Sequence, residues 1–132
     1  QLIEGDIAAR AASRAAEADI AVLTALIADQ EAATEDPERY RDLDTRFHQH
    51  IAALSDNEFL ARAAQSLNIL GLEFRKIASE TPSVITRSIR DHKLVVKAIA
   101  AADADAARTA MVAHMKHVLV STRASTKTLV NP

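Results

Sequence analysis

The sequence predicts an all-α protein, an antiparallel bundle of six or seven helices, on three observations. Apolar residues recur at i, i+3, i+4 and i+7 through successive segments, the spacing that gathers them on one face of a helix. Alanine is the commonest residue, 28 of 132, against 2 glycines. Alanine loses no side-chain entropy on folding and lets helices approach closely. Helix starters and stoppers divide the chain at short intervals, and no apolar-polar alternation is long enough to compete as a strand.

Taken in order, the segment from Leu2 to about Ala16 places Ile3, Ile7, Ala11 and Ala15 on one stripe and leaves Arg10 and Arg14 at its wetter edge. Asp19 to about Thr34 forms a second helix around Ile20, Leu23, Leu26 and Ile27, with its aspartate near the positive end of the helix dipole. Asp36 is a favoured N-cap and Pro37 suits the first helical position, so a third helix runs from Pro37 to about Leu54 on Tyr40, Leu43, Phe47, Ile51 and Leu54. Ser55, Asp56 and Asn57 break the chain, and Ser55 with Glu58 has the spacing of a capping box. The fourth helix follows on Phe59, Leu60, Ala64, Leu67, Leu70 and Phe74 towards Ala78, interrupted by Gly71, which marks a close helix contact or room for a ligand. Ser79 to Pro82 reads as a loop. A fifth helix spans about Ser83 to Ala102 on Ile85, Ile89, His92, Val96 and Ile99, and Asp103 caps a sixth on Ala107, Met111, His114 and Val118. Residues 1–124 are expected to form one domain and residues 125–132 a flexible tail.

Composition narrows the function classes. Sixteen basic and eighteen acidic residues give a net charge of −2, which offers no basic surface for nucleic acid. There is no cysteine, so disulfides and thiolate ligands are excluded and a metal would have to be held by nitrogen and oxygen. No apolar run has the length of a membrane span, and no basic-then-apolar signal segment opens the chain, so the expected location is the cytoplasm. A nucleophile elbow and a phosphate-cradling glycine loop are both lacking.

The residues that carry chemistry lie on three of the helical stripes. Asp44 and His48 stand at i and i+4, where side chains share a face, and His92 and His114 each replace an aliphatic residue in an apolar stripe. A buried imidazole without a partner is costly. Either each histidine satisfies itself by hydrogen bonding within the core, or Asp44, His48, His92 and His114 converge on one divalent metal. Three imidazoles and a carboxylate suit Zn, Ni, Co or Mn better than Ca or Mg, with Zn the default and Ni or Mn open. His50 falls about 200° around the helix from His48 and is expected on the surface. His117, one turn beyond His114, is expected to support the pocket or face solvent.

The same residues carry a family resemblance. The stretch DLDTRFHQHIAALSDN at 42–57, followed by RDHKLVVKAIAAADADAARTAMVAHM at 90–115, resembles the FCD domain, the C-terminal effector-binding domain of FadR-type regulators in the GntR superfamily. The matching positions are Asp44, Phe47-His48, Asn57, His92, Ala98-Ile99, Asp103, Ala106-Ala107 and His114, supported by Glu4, Ala8 and Ala11-Ala12 in the first helix. Asp56 stands where the family often has glycine.

The resemblance implies a helical bundle that binds a small effector, pairs as a homodimer and acts behind an N-terminal winged helix-turn-helix, which these 132 residues do not contain. Operator DNA would therefore be read only through that absent domain. Many members hold a divalent metal through one Asp and three His. Retention of Asp44, His48, His92 and His114 points to that branch, whose effectors are small carboxylates, and away from the metal-free acyl-binding branch. The candidates for holding the carboxylate are Arg75, Asn68, Gln65, Arg14 and Arg10, with arginine favoured because its fork matches a carboxylate. An enzyme is the rival class, because an open metal position can activate water. Glu4, Glu58 and Glu73 have no spacing that supplies a general base, so the expectation is a non-enzymatic sensor.

Overall fold

The computed structural model describes the backbone at residues 2–70 and 81–130 and the side chains at residues 3–66 and 81–121. Six helices are described, with no strand among the described residues: α1 (Leu2–Arg14), α2 (Glu17–Glu31), α3 (Pro37–Leu54), α4 (Glu58–Leu70), α5 (Pro82–Ala100) and α6 (Ala104–Val130). The expected all-α bundle is the observed architecture. The last helix runs on to Val130, through residues expected to form a tail. No helix among the described residues is long and apolar enough to cross a membrane.

Local chemistry sets most of the boundaries. Asp36 accepts a hydrogen bond from the Arg39 backbone N–H at 3.2 Å and Pro37 occupies the first turn, so α3 starts and ends where its caps require. The second helix begins two residues before Asp19, because that carboxylate sits in the first turn and reaches back to the Ala16 N–H at 2.9 Å. Asp56, not a glycine, adopts a positive φ of 50°, and this turn hands the capping role to Asn57. Asn57 Oδ1 accepts from the Leu60 N–H at 3.0 Å. The Ser55–Glu58 capping box is thus corrected: the buried Ser55 hydroxyl donates to the Ala52 carbonyl at 2.6 Å instead. Gly71, Phe74 and the expected end of the fourth helix at Ala78 lie outside the described residues, as do Ser79 and Glu80 of the expected loop.

Between α5 and α6 the chain reverses at Ala102, whose φ is 54°. The Ala102 N–H donates to the Ile99 carbonyl and the Asp103 N–H to the Ala98 carbonyl, both at 3.0 Å, the paired bonds that close a helix through a left-handed residue. Asp103 then caps α6 by accepting from the Ala106 N–H at 3.0 Å. A left-handed alanine costs more than a glycine. Ala102→Gly is therefore expected to stabilise the protein by about 0.5–1 kcal/mol, net of the freedom glycine adds to the unfolded chain. Urea denaturation checks this; a lower midpoint would count against it.

The core joins all six helices. Ile7, Ala8, Ala11 and Ala12 of α1 meet Ala107 and Met111 of α6, while Leu23 and Ile27 of α2, Ala33 between α2 and α3, Tyr40, Leu43, Phe47 and Ile51 of α3, Ala64 of α4 and Ile85, Ile89, Val95, Val96, Ala98 and Ile99 of α5 complete it. The two terminal helices approach closely because position 5 is glycine: a Cβ there would stand 2.9 Å from Val112 Cγ2. Across the same contact, Arg108 of α6 pairs with Asp6 of α1 at 2.7 Å. Phe59 departs from the expected stripe and is 79% exposed. Helix α5 packs against α1, α2 and α6, so it buries two rows. One is the expected Ile85, Ile89, His92, Val96, Ile99 stripe, and the second is Asp91, Val95 and Ala98.

Candidate metal centre

Three helices deliver histidines to one point inside the bundle. One ligand nitrogen from each of His48 on α3, His92 on α5 and His114 on α6 lies within 4.8 Å of the others. Asp44, one turn before His48, puts Oδ1 3.3 Å from His48 Nε2 and 3.2 Å from His92 Nε2. The rings are fixed by contact with one another. His92 and His114 meet edge to face at 4.7 Å, His48 and His114 are nearly parallel at 5.5 Å, and Phe47 stacks on His92 at 4.3 Å. His92 and His114 are buried, and Asp44 and His48 are half-buried.

The outer nitrogens decide which inner ones keep lone pairs. His114 Nδ1 lies 3.0 Å from Asp91 Oδ2, and an ionised carboxylate only accepts, so Nδ1–H donates and Nε2 carries the lone pair. His117 Nδ1 reaches the same oxygen at 2.9 Å, which gives His117 the supporting place expected for it. His92 Nδ1 lies 2.8 Å from Gln30 Oε1. Its Nε2 is buried and without a hydrogen-bond partner among the described residues, since the approach to Asp44, although close, is not aligned as a hydrogen bond. An orphaned buried nitrogen in a ring of imidazoles and a carboxylate is the donor set a transition metal takes, with outer partners of the kind that orient ligating histidines. The residues present fit such an ion.

The electrostatics favour the unprotonated forms of Asp44, Asp91 and His92. Burial pushes the Asp44 carboxyl up, but His48 and His92 together outweigh it and hold it well below the usual carboxylate range. Asp91 is likewise raised by burial and lowered further by the hydrogen bonds from His114 and His117. Burial lowers His92 to about 4, reinforced by repulsion from His114 and His48 and opposed by Asp44.

Of the residues expected to grip an effector, the three whose side chains are described lie on the surface. Arg75 and the side chain of Asn68 lie outside the described residues. Gln65 and Arg10 are exposed, and the exposed Arg14 pairs with Asp56 at 3.2 Å. His50 is half-buried rather than solvated, since Asp19 on the facing helix takes its Nε2 at 3.2 Å. Gln30 and Asp91 were not among the expected site residues. Their signals were a glutamine continuing the Leu23–Ile27 stripe and an acid adjoining a buried histidine.

Fold and site together define a helical bundle built around a polar, histidine-rich centre, a type suited to holding a small ligand. Comparison with known proteins agrees: residues 1–117 match the FCD domain family, and the chain belongs to it. This is a regulatory domain of GntR-type regulators and not an enzyme. Two curated relatives, from Escherichia coli (strain K12) and Shigella flexneri, are each named as an L-lactate dehydrogenase operon regulatory protein. Each is 34% identical over 89 residues, covering 64% of this chain and 34% of the relative. The match therefore spans about a third of the length of those relatives.

Proposed function

We propose that this chain is the ligand-sensing domain of a transcriptional regulator and that it binds a small carboxylate through a divalent metal held by Asp44, His48, His92 and His114. The observation that carries the reading is the buried His92 Nε2, without a hydrogen-bond partner among the described residues and facing two further imidazoles and a carboxylate. Asp44 contributes the negative charge and the histidines contribute lone pairs, while Asp91 and Gln30 hold the rings in place. A bound transition metal, Zn by default with Ni or Mn open, would supply a Lewis-acid centre for carboxylate oxygens.

The centre is polar, and this favours a compact acid over a long acyl chain. The names of the relatives suggest a 2-hydroxy monocarboxylate such as lactate as the first candidate. Because the ligands come from α3, α5 and α6, an occupied site would bias the spacing of those helices. The whole regulator would read that bias in how paired DNA-binding domains are held. Operator contact is assigned to parts of the regulator outside these 132 residues.

Calorimetric titration of zinc-loaded and chelator-treated protein against lactate, a dicarboxylate, a sugar acid and a medium-chain fatty acid tests the reading. Binding of a small acid that is largely lost on metal removal is expected. Equal binding by the two forms, or preference for the fatty acid, would move the protein to the metal-free acyl-binding alternative. A homodimer is also proposed, since symmetric pairing matches a two-fold operator. Light scattering at tens of micromolar should give twice the chain mass of 14.3 kDa, and a monomer alone would assign pairing to other parts of the regulator.

A further inference from the structure

Helix α2 buries three side chains, Leu23, Ile27 and Gln30, and the third is an amide with no exposure at all. Two polar groups explain its presence. Gln30 Nε2 faces the Leu43 carbonyl of α3 at 3.5 Å, and Gln30 Oε1 faces His92 Nδ1 of α5 at 2.8 Å. A carbonyl oxygen can only accept, so the Leu43 contact orients the amide with its oxygen towards His92. That oxygen can only accept in turn, so the His92 proton must sit on Nδ1. Nε2 then carries a lone pair and points at Asp44 Oδ1, 3.2 Å away. Two acceptors this close repel one another, a contact that a cation between them would relieve.

The other tautomer would be attractive in its own right. With the proton on Nε2, a small turn of the ring from its present unaligned approach would let His92 donate to the Asp44 carboxylate in a charge-assisted hydrogen bond, roughly twice as strong as a neutral one. His92 would then be tied to Asp44, and its lone pair would be turned away from the centre. We propose that Gln30 is the positioning residue that prevents this, holding His92 in the Nδ1–H tautomer so that Nε2 remains available to a cation; the proposal rests on the metal reading above. Phe47, stacked on the ring at 4.3 Å, fixes the ring plane but makes no demand on the tautomer, and that choice falls to Gln30.

The test reads the tautomer without any metal. Nitrogen NMR of the metal-free protein, labelled at histidine, distinguishes a protonated from an unprotonated ring nitrogen at His92. The variants are Gln30→Met, which removes the acceptor, and Gln30→Glu, which keeps one. Leu23→Ala is the control, since it weakens the packing of the same helix and leaves the Gln30 amide in place. Zinc affinity is measured alongside by competition with a chromophoric chelator. Expected are Nδ1–H in the wild type, in Gln30→Glu and in Leu23→Ala. In Gln30→Met the proton should move to Nε2, with zinc affinity about 10–100-fold weaker, the usual effect of removing an outer partner of a ligating histidine. A proton on Nε2 in the wild type, or an unchanged tautomer in Gln30→Met, would overturn the proposal. Should Gln30→Met not fold, the wild-type and Gln30→Glu spectra still decide, because Nε2–H in either overturns it. If the tautomer follows Gln30 but the wild type takes no zinc, the role of Gln30 stands and the metal reading of the site fails.

Discussion

Metal-free protein should lose about 3 kcal/mol of stability between pH 6.5 and pH 4. His92 takes up its proton near 6.5 when unfolded, but burial lowers it to about 4 in the folded chain. Through that interval the unfolded state binds a proton that the folded state refuses, so acid favours unfolding, at about 1.4 kcal/mol per unit of separation. The contribution is fully present above pH 6.5 and is lost as pH falls towards 4. Asp44 and Asp91, both held below the ordinary carboxylate range, act in the window beneath it. Their stabilisation is present above about pH 4 and is lost as pH falls through their folded values. Urea denaturation at pH 7, 5.5 and 4.5 checks the first stage. His92→Leu, which removes the titrating ring, should flatten the dependence over that range. A wild type equally stable at pH 7 and 4.5 would contradict the burial of an uncharged His92.

Much of this architecture can be read from spacing and caps. The observed bounds Pro37–Leu54 match the expected ones because the starting signal is local: Asp36 caps the N–H of Arg39, three residues on, and Pro37 lies next to it. Where structure and spacing differ, a contact from outside the local window decides the matter. Asp19 seemed to open α2, yet its carboxylate acts three residues backwards on Ala16 and also meets His50 of α3. Ser55 has a capping sequence, but the left-handed turn at Asp56 moves the cap to Asn57.

The candidate site divides along the same line. Asp44, His48, His92 and His114 are legible because each occupies or adjoins a helical stripe, and their approach follows once the stripes pack. Gln30 and Asp91 were hidden because their importance depends on which helices become neighbours: α2 packs on α5 and α5 on α6, 62 and 23 residues apart along the chain for the two bonds concerned. Arg14 shows the converse. A guanidinium beside an apolar stripe could have turned inward, but Arg14 is drawn outward by Asp56, a partner 42 residues away that periodicity does not reveal.

The largest effect expected of any substitution is loss of the metal itself. Protein purified without chelator should carry close to one equivalent of a transition metal, and His92→Ala combined with His114→Ala should remove it. The two changes delete ligands contributed by α5 and α6 and leave only the i,i+4 pair of Asp44 and His48 on α3, too few donors for a closed nitrogen-oxygen site. Because the variant also opens space in the core, its helicity must be checked by circular dichroism before the metal is counted. Elemental analysis of the two folded proteins side by side is the most direct measurement: near-stoichiometric metal in the wild type and none in the double variant is the predicted result, whereas equal metal in both, or none in the wild type after incubation with zinc, would contradict it.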